Sequence, residues 1–118
     1  MKGDDIAGRL LGFAVSVLRL VGDLPQTYVG KHVSRQLTRS STAGGANYEE
    51  ARCAESRADF AHKCNVAGKE VRESIDWLRV SGEAGLSRNP KLEFLVREGN
   101  ELTAILKASA KTAKARAG

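Results

Sequence analysis

The sequence is poor in aromatic residues and in proline, and both shortages restrict the fold. Phe, Trp and Tyr make up 5% of the 118 residues, and the two prolines are Pro25 and Pro90. Strands favour aromatic and β-branched side chains, so this composition argues against an all-β fold. Because proline interrupts helices, its near absence leaves long segments free to be helical. The length is that of a single domain.

Cysteine is also scarce, and no long hydrophobic run is present. On a single helix, Cys53 and Cys64 would lie about 16 Å apart along the axis, which is too far for a disulfide. Two free thiols are typical of the reducing cytoplasm, where we expect this protein. The apolar stretch 6–21 is interrupted by Arg9 and Arg19, which excludes a signal peptide or a membrane span, and we expect no membrane partner.

Apolar residues recur at helical spacing in four segments, and none of the segments alternates as a strand would. The spacing predicts helices over about residues 4–22, 25–51, 57–80 and 90–113, with a flexible tail over 114–118. Ser56 and Asp59 form a capping box before the third helix, and Asn89-Pro90 is a typical start for the fourth. We therefore predict one all-α domain over residues 1–118, an antiparallel up-down four-helix bundle.

Seven small residues occupy positions 40–46, within the second predicted helix. Gly44 and Gly45 each cost a helix about 1 kcal/mol relative to alanine, so local propensity favours a flexible linker. The alternative is a helical stretch in which small side chains allow neighbouring backbones to approach closely.

The first predicted helix is apolar around most of its circumference. A helix that covers one side of a core usually has an apolar face of about 100°. It therefore either occupies the centre of the molecule or is covered by a second subunit, and we favour the subunit. The candidate interface residues are Leu10, Phe13, Val17 and Leu20.

The chain has a formal charge of +5, from 19 Lys and Arg residues against 14 Asp and Glu residues. The excess lies in residues 1–47 and 81–118, which favours a partner bearing phosphates, although a basic surface can also be merely solvated. The candidate nucleic-acid contacts are Lys31, Arg35 and Arg39 on the second helix and Lys107, Lys111, Lys114 and Arg116 at the end of the chain. The C-terminal lysines also suit the negative end of a helix dipole.

Known catalytic motifs are absent from the sequence. Two clusters contain metal-ligating residue types: Asp59, His62, Glu70 and Glu73 on one helix, and Cys53, His62 and Cys64. The first supplies at most part of a di-iron site, and the second does not converge on one helix face. We predict no catalytic residue, metal, cofactor or small-molecule substrate. An inward-facing Glu70 would need partners, and we expect a structural polar network of Arg39, Asn47, Glu50, Glu70 and Glu73.

A motif over residues 36–51 resembles the central motif of a known family. It reads Gln36-Leu37-x-Arg39-Ser40-x-Thr42-x-Gly44-x-Ala46-Asn47-Tyr48-x-Glu50-Ala51. Further matching residues are Glu55-Ser56-x-Ala58-Asp59-Phe60-x-His62-Lys63, Lys69-Glu70, Glu73, Trp77-Leu78, Glu98 and Glu101-Leu102. Together they resemble the 23S rRNA intervening-sequence protein family. Where members often carry a Gly-Thr-Ser-Val-Gly type of run, residues 41–45 read Ser-Thr-Ala-Gly-Gly.

The resemblance implies a four-helix bundle in which residues 38–51 belong to a helix or to its end, and a structural role for Arg39. It also implies a homopentamer without enzymatic activity, distantly related to the basic, nucleic-acid-associated accessory protein of diversity-generating retroelements. We therefore expect a non-catalytic, ring-like oligomer that associates with RNA or another nucleic acid through basic surface stripes. The alternative is a protein-interaction scaffold that binds no nucleic acid.

Overall fold

The computed structural model describes residues 2–117, which form four α-helices. They are α1 (Lys2–Val21), α2 (Tyr28–Arg52), α3 (Arg57–Glu83) and α4 (Leu92–Ala117). Each helix runs antiparallel to the next, and α4 returns beside α1. No strand is present within the described residues. The predicted all-α fold of four helices is confirmed, and its core lies along the common axis of the bundle.

The second helix starts three residues later than the predicted position at Pro25. Thr27 is its N-cap, because the Thr27 hydroxyl accepts a hydrogen bond from the backbone N–H of Gly30 at 3.1 Å. Gly30 is required here, since a Cβ at this position would lie 1.9 Å from the Pro25 carbonyl oxygen. The chain therefore turns tightly at Pro25 and becomes helical only at Tyr28.

The third and fourth helices are longer than predicted. The predicted cap of α3 is present, since the Ser56 side chain accepts a hydrogen bond from the Asp59 N–H. The expected tail over 114–118 is wrong for residues 114–117, which continue α4, whereas residue 118 lies outside the described part. Arg57 donates a 3.0 Å hydrogen bond to the carbonyl of Arg116, and the alanine-rich sequence also favours helix here.

The stretch of small residues at 40–46 is helical and lies in the middle of α2. Ser40 and Ser74 are buried and share a 2.8 Å hydrogen bond between their hydroxyls, which joins α2 to α3. A Cβ on Gly44 would lie 2.7 Å from Cγ2 of Val71, and one on Gly45 would contact Leu10 of α1. The small side chains therefore allow α2 to approach both of its neighbours, and this packing outweighs their poor helix propensity.

The four residues predicted to form a subunit interface lie in the core of the chain itself. Leu10, Phe13, Val17 and Leu20 are at most 2% exposed. They pack against the apolar faces of the other helices and present no surface to a second subunit. The interface prediction is therefore wrong in its residues, because the apolar pattern of α1 does not reveal which side faces the core.

Replacing Gly44 with alanine should destabilise the fold, because the new methyl group would overlap Val71. We expect the free energy of unfolding to fall by about 1–3 kcal/mol, the usual cost of overpacking a core. Gly12→Ala is the matched control, since a Cβ there would meet no atom within 4 Å, and it should stabilise the helix by up to about 1 kcal/mol. Urea unfolding at fixed protein concentration measures both, and a neutral Gly44→Ala would contradict the packing described for α2.

Candidate functional site

Arg39 joins α2 to α3 by binding two carboxylates. Its Nη1 donates to both carboxylate oxygens of Glu70, at 3.1 and 3.2 Å, and its Nη2 donates to Glu73. Trp77 Nε1 donates to the same oxygen of Glu73 at 3.2 Å, and the rings of His32 and Trp77 meet in a T-shaped contact with centroids 5.5 Å apart. The hydrogen bond from Arg39 lowers the pKa of Glu73. Arg39 is therefore occupied by structural contacts and is not a free cation for a phosphate.

Two members of the predicted polar network lie outside it. The Asn47 side-chain amide donates to the carbonyl of Ala43 in its own helix at 2.9 Å. Glu50 pairs with Lys63 of α3 at 3.4 Å. The predicted network is present for Arg39, Glu70 and Glu73. The inclusion of Asn47 and Glu50 is wrong, because the polar side chains of both residues are paired with other groups.

Arg9 joins α1 to α4 by the same arrangement as Arg39, one arginine with two carboxylates, which we call an arginine clamp. Arg9 donates to both oxygens of Glu98, at 3.0 and 2.7 Å, and lies 3.1 Å from Glu101. The hydrogen bond to Glu98 is the main reason that the pKa of Arg9 is raised.

Arg52 forms a third clamp, between α2 and α1. It binds Asp4 of α1 and, at 3.1 Å, Glu49 of its own helix. Three of the four lines of contact between neighbouring helices, which we call seams, thus carry an arginine clamp. Within residues 2–117, the α3/α4 seam contains no ion pair.

These contacts distribute the charges of the chain unevenly. The ion pairs of the described residues use four cations, Arg9, Arg39, Arg52 and Lys63, and seven carboxylates. Of the 19 cations and 14 carboxylates in the sequence, 15 cations and seven carboxylates are left without an ion pair within residues 2–117. The basic excess therefore lies on the surface in unpaired form.

The predicted nucleic-acid contacts lie on two separate surfaces. Lys31 and Arg35 are exposed on α2, without an ion-pair partner among the described residues, but the third member of their stripe is the clamped Arg39. On α4 the predicted residues are exposed and helical, namely Lys107, Lys111, Lys114 and Arg116. The structure therefore does not bring the two predicted stripes together.

Lys107 does meet two cations that the sequence analysis missed. Lys69 and Arg72 of α3 line, with Lys107, a groove of about 490 Å³ between α3 and α4. The signal was present in the sequence, because Lys69, Arg72 and Arg79 recur at spacings that place them on one face of a helix. The spacing within α3 indicates that these three cations share a face of the helix. It does not indicate that Lys107 of α4 lies opposite that face.

The apolar surface of α1 lies one position away from the predicted interface. Leu11 is 66% exposed, and Val15 and Leu18 are 38% and 39% exposed. They line a groove of about 540 Å³ between α1 and α2, together with Ala7 and Ala46. This surface, rather than the core residues named from the sequence, is the candidate for self-association.

Within residues 2–117, the cysteine thiols and the acidic side chains form neither a disulfide nor a metal site. Cys53 and Cys64 are both free, and burial raises the pKa of Cys64 to about 11, which keeps this thiol protonated at neutral pH. Among residues 2–117, no three His, Cys, Asp or Glu side chains are arranged to hold a metal ion. The helices over the same residues lack the combination of length and continuous apolarity needed to cross a membrane.

Comparison with known proteins identifies a family and closely similar solved structures. The model of the 23S rRNA-intervening sequence protein family matches residues 5–108. A crystal structure of a protein of unknown function from Bacteroides thetaiotaomicron, described as a member of the S23 ribosomal protein family, is 32% identical. The match covers 94% of this chain and 99% of that one, with a TM-score of 0.84. None of the curated proteins matches the chain.

The clamp at Arg39 should make the stability of the fold depend on acidic pH. The pKa of Glu73 is lower in the folded state than the ordinary value of 4.5, so the ionised carboxylate stabilises the folded state at any pH above 4.5. This stabilisation is lost as the pH falls through the lowered pKa of Glu73. We expect Arg39→Gln to lower the melting temperature at neutral pH, with the difference from the parent shrinking as the pH falls below 4.5 and disappearing below the lowered pKa of Glu73.

The matched control for this measurement is Arg35→Gln, on the same helix and without an ion-pair partner among the described residues. It should change the melting temperature little at any pH. A pH-independent effect of Arg39→Gln would contradict the role assigned to Glu73.

Proposed function

Because this chain belongs to the 23S rRNA-intervening sequence protein family, we propose that it is a non-catalytic, oligomeric, RNA-associated protein of the cytoplasm. The surplus of unpaired cations carries the proposal. Within residues 2–117, 15 cations and seven carboxylates lack an ion pair. Unpaired surface cations attract a polyanion and release its counterions on binding. The family description names 23S rRNA, and on that ground we take RNA as the polyanion.

The α1/α2 groove supports the oligomeric part of the proposal. Leu11, Val15 and Leu18 form an exposed apolar row on one helix, and such rows on small proteins mark association sites. A second copy covering this row would remove it from water. A heterologous contact of this kind closes into a ring when the rotation between copies allows it. A ring, with five copies as the favoured number, repeats the same basic surface around its circumference.

Binding through the phosphate backbone fits the surface better than recognition of bases. Base stacking requires exposed aromatic side chains beside the cations. Tyr28 and Phe94 are exposed but lie on different helices, and neither lines the α3/α4 groove. We therefore infer that charge and the shape of the folded RNA determine binding more than its sequence.

Introducing a charge at Leu11 should dissociate the oligomer without unfolding the chain. Leu11→Glu places a carboxylate on the apolar row, whereas Val17→Asp would bury one in the core and unfold the protein. We expect the mass from light scattering after gel filtration to fall towards that of the 12.7 kDa monomer, with the helical circular dichroism retained.

Asn100→Glu, an exposed position on α4, is the control for this charge and should leave the mass of the oligomer unchanged. An unchanged mass for Leu11→Glu would remove the α1/α2 groove as the site of self-association.

The proposal predicts steeply salt-dependent binding to RNA. Fluorescence anisotropy of a labelled, structured rRNA fragment, titrated from about 50 to about 300 mM salt, should show a slope of about −0.9 for each phosphate contact. A DNA duplex of similar length is the comparison and should bind more weakly. If neither polymer binds at the lowest salt concentration, RNA association is wrong, and the exposed apolar row favours a protein-interaction scaffold instead.

A further inference from the structure

The α3/α4 seam differs from the other three in how its helices are held together. Where the other seams carry arginine clamps, this one is closed by apolar contacts at two glycines. A Cβ on Gly68 would lie 3.7 Å from Cβ of Leu106, and one on Gly99 would lie 2.7 Å from Cγ1 of Ile75. The seam therefore needs no ion pair for its stability, and charged side chains along its rim are free for another role.

The free side chains at this seam are cations that face one another across a groove. Lys69 and Arg72 lie on the α3 side and Lys107 on the α4 side of the cavity of about 490 Å³. Within the described residues, none of the three has a carboxylate within 4.0 Å or a side-chain hydrogen bond. Three like charges around one groove repel each other, and a bound anion would relieve that repulsion.

The carboxylates nearest in sequence do not neutralise this groove. Glu70 and Glu73 are turned towards α2, where they bind Arg39. Asp76 is exposed one turn beyond Arg72 and does not line the groove. The groove therefore keeps a local positive charge.

Cations continue along the same seam beyond this groove. Arg79 and Arg97 line an adjoining cavity of about 480 Å³, which Glu83 and Glu93 also border. From Lys69 to Arg79 the helix rises about 15 Å. Asp76, Glu83 and Glu93 partly offset the charge at the far end of this row. Cations spread over two helices along the seam still fit successive phosphates of a polymer better than one small anion.

We propose that the α3/α4 groove binds the phosphodiester backbone of a folded nucleic acid, with Lys69 and Arg72 contacting phosphates from one side and Lys107 from the other. This assignment rests on the proposed function and specifies its surface. No Phe, Trp or Tyr lines the groove, so bases find no aromatic ring to stack on, and the three cations recognise phosphates by charge. The α2 stripe offers fewer free cations than the groove, because Arg39 is clamped by Glu70 and Glu73 and only Lys31 and Arg35 remain.

The test compares two triple variants that remove the same charge from different places. The groove variant is Lys69→Gln, Arg72→Gln and Lys107→Gln. The control variant is Arg19→Gln, Arg88→Gln and Lys91→Gln, at exposed positions on α1 and in the α3–α4 connection that have no ion pair within residues 2–117. Each protein is titrated against duplex RNA and duplex DNA of the same sequence. Circular dichroism and light scattering accompany every titration.

For the groove variant we expect a loss of affinity on the order of 100-fold at physiological salt and a salt slope reduced by about three, because three phosphates are no longer neutralised. The control should lose only a few-fold, through the weaker overall field. Helicity and oligomer mass should be unchanged in both. A preference for the RNA duplex identifies RNA as the source of the phosphates, and equal loss on both duplexes shows that the groove contacts the backbone alone.

Three results would overturn the assignment. If both triple variants weaken binding equally, RNA contacts cations over the whole surface of the protein. RNA binding would then be retained as the proposed function, but the groove would not be its site. If Lys31→Gln with Arg35→Gln weakens binding more than the groove variant, the site lies on α2. If the groove variant changes the oligomer mass, the groove is a contact between subunits. Failure of the parent protein to bind either duplex would instead remove the proposed function itself.

Discussion

The distribution of carboxylates over the bundle determines what its surface can do. Arg9, Arg39 and Arg52 each hold two carboxylates, and each joins a different pair of neighbouring helices. Partly exposed ion pairs of this kind contribute little stability individually, and each of these links two helices. Each of these three arginines engages two acids, and within residues 2–117 fifteen of the other cations have no ion pair. The basic surface is therefore a consequence of how the bundle is held together, as well as of its net charge.

The four helices could be predicted from the sequence because their signals are local. Apolar spacing gave all four helices, and Ser56 gave the start of α3. Positions 40–46 could not be assigned from propensity, since the reason for a glycine at position 44 is the close approach of Val71 from another helix. The family resemblance supplied the correct choice there.

The candidate site was less predictable, because it depends on how helices are placed against each other. Leu10 and Leu11 are adjacent in an apolar helix, and only the packing of α1 shows that Leu10 is buried and Leu11 exposed. Likewise, the spacing of Lys69 and Arg72 was visible, but their proximity to Lys107 depends on the register between α3 and α4. Arg39 was a candidate for both the basic stripe and the polar network, and only its contacts with Glu70 and Glu73 decide between them.

The apolar α1/α2 groove and the basic α3/α4 groove lie on opposite sides of the bundle, so a copy bound at the first leaves the second open to a polyanion. Cross-linking of lysines to a bound rRNA fragment, followed by peptide mapping, tests this account most directly. The account predicts RNA adducts at Lys69 and Lys107 and few at Lys31. Adducts concentrated on α1 and α2, with α3 and α4 unmodified, would contradict it.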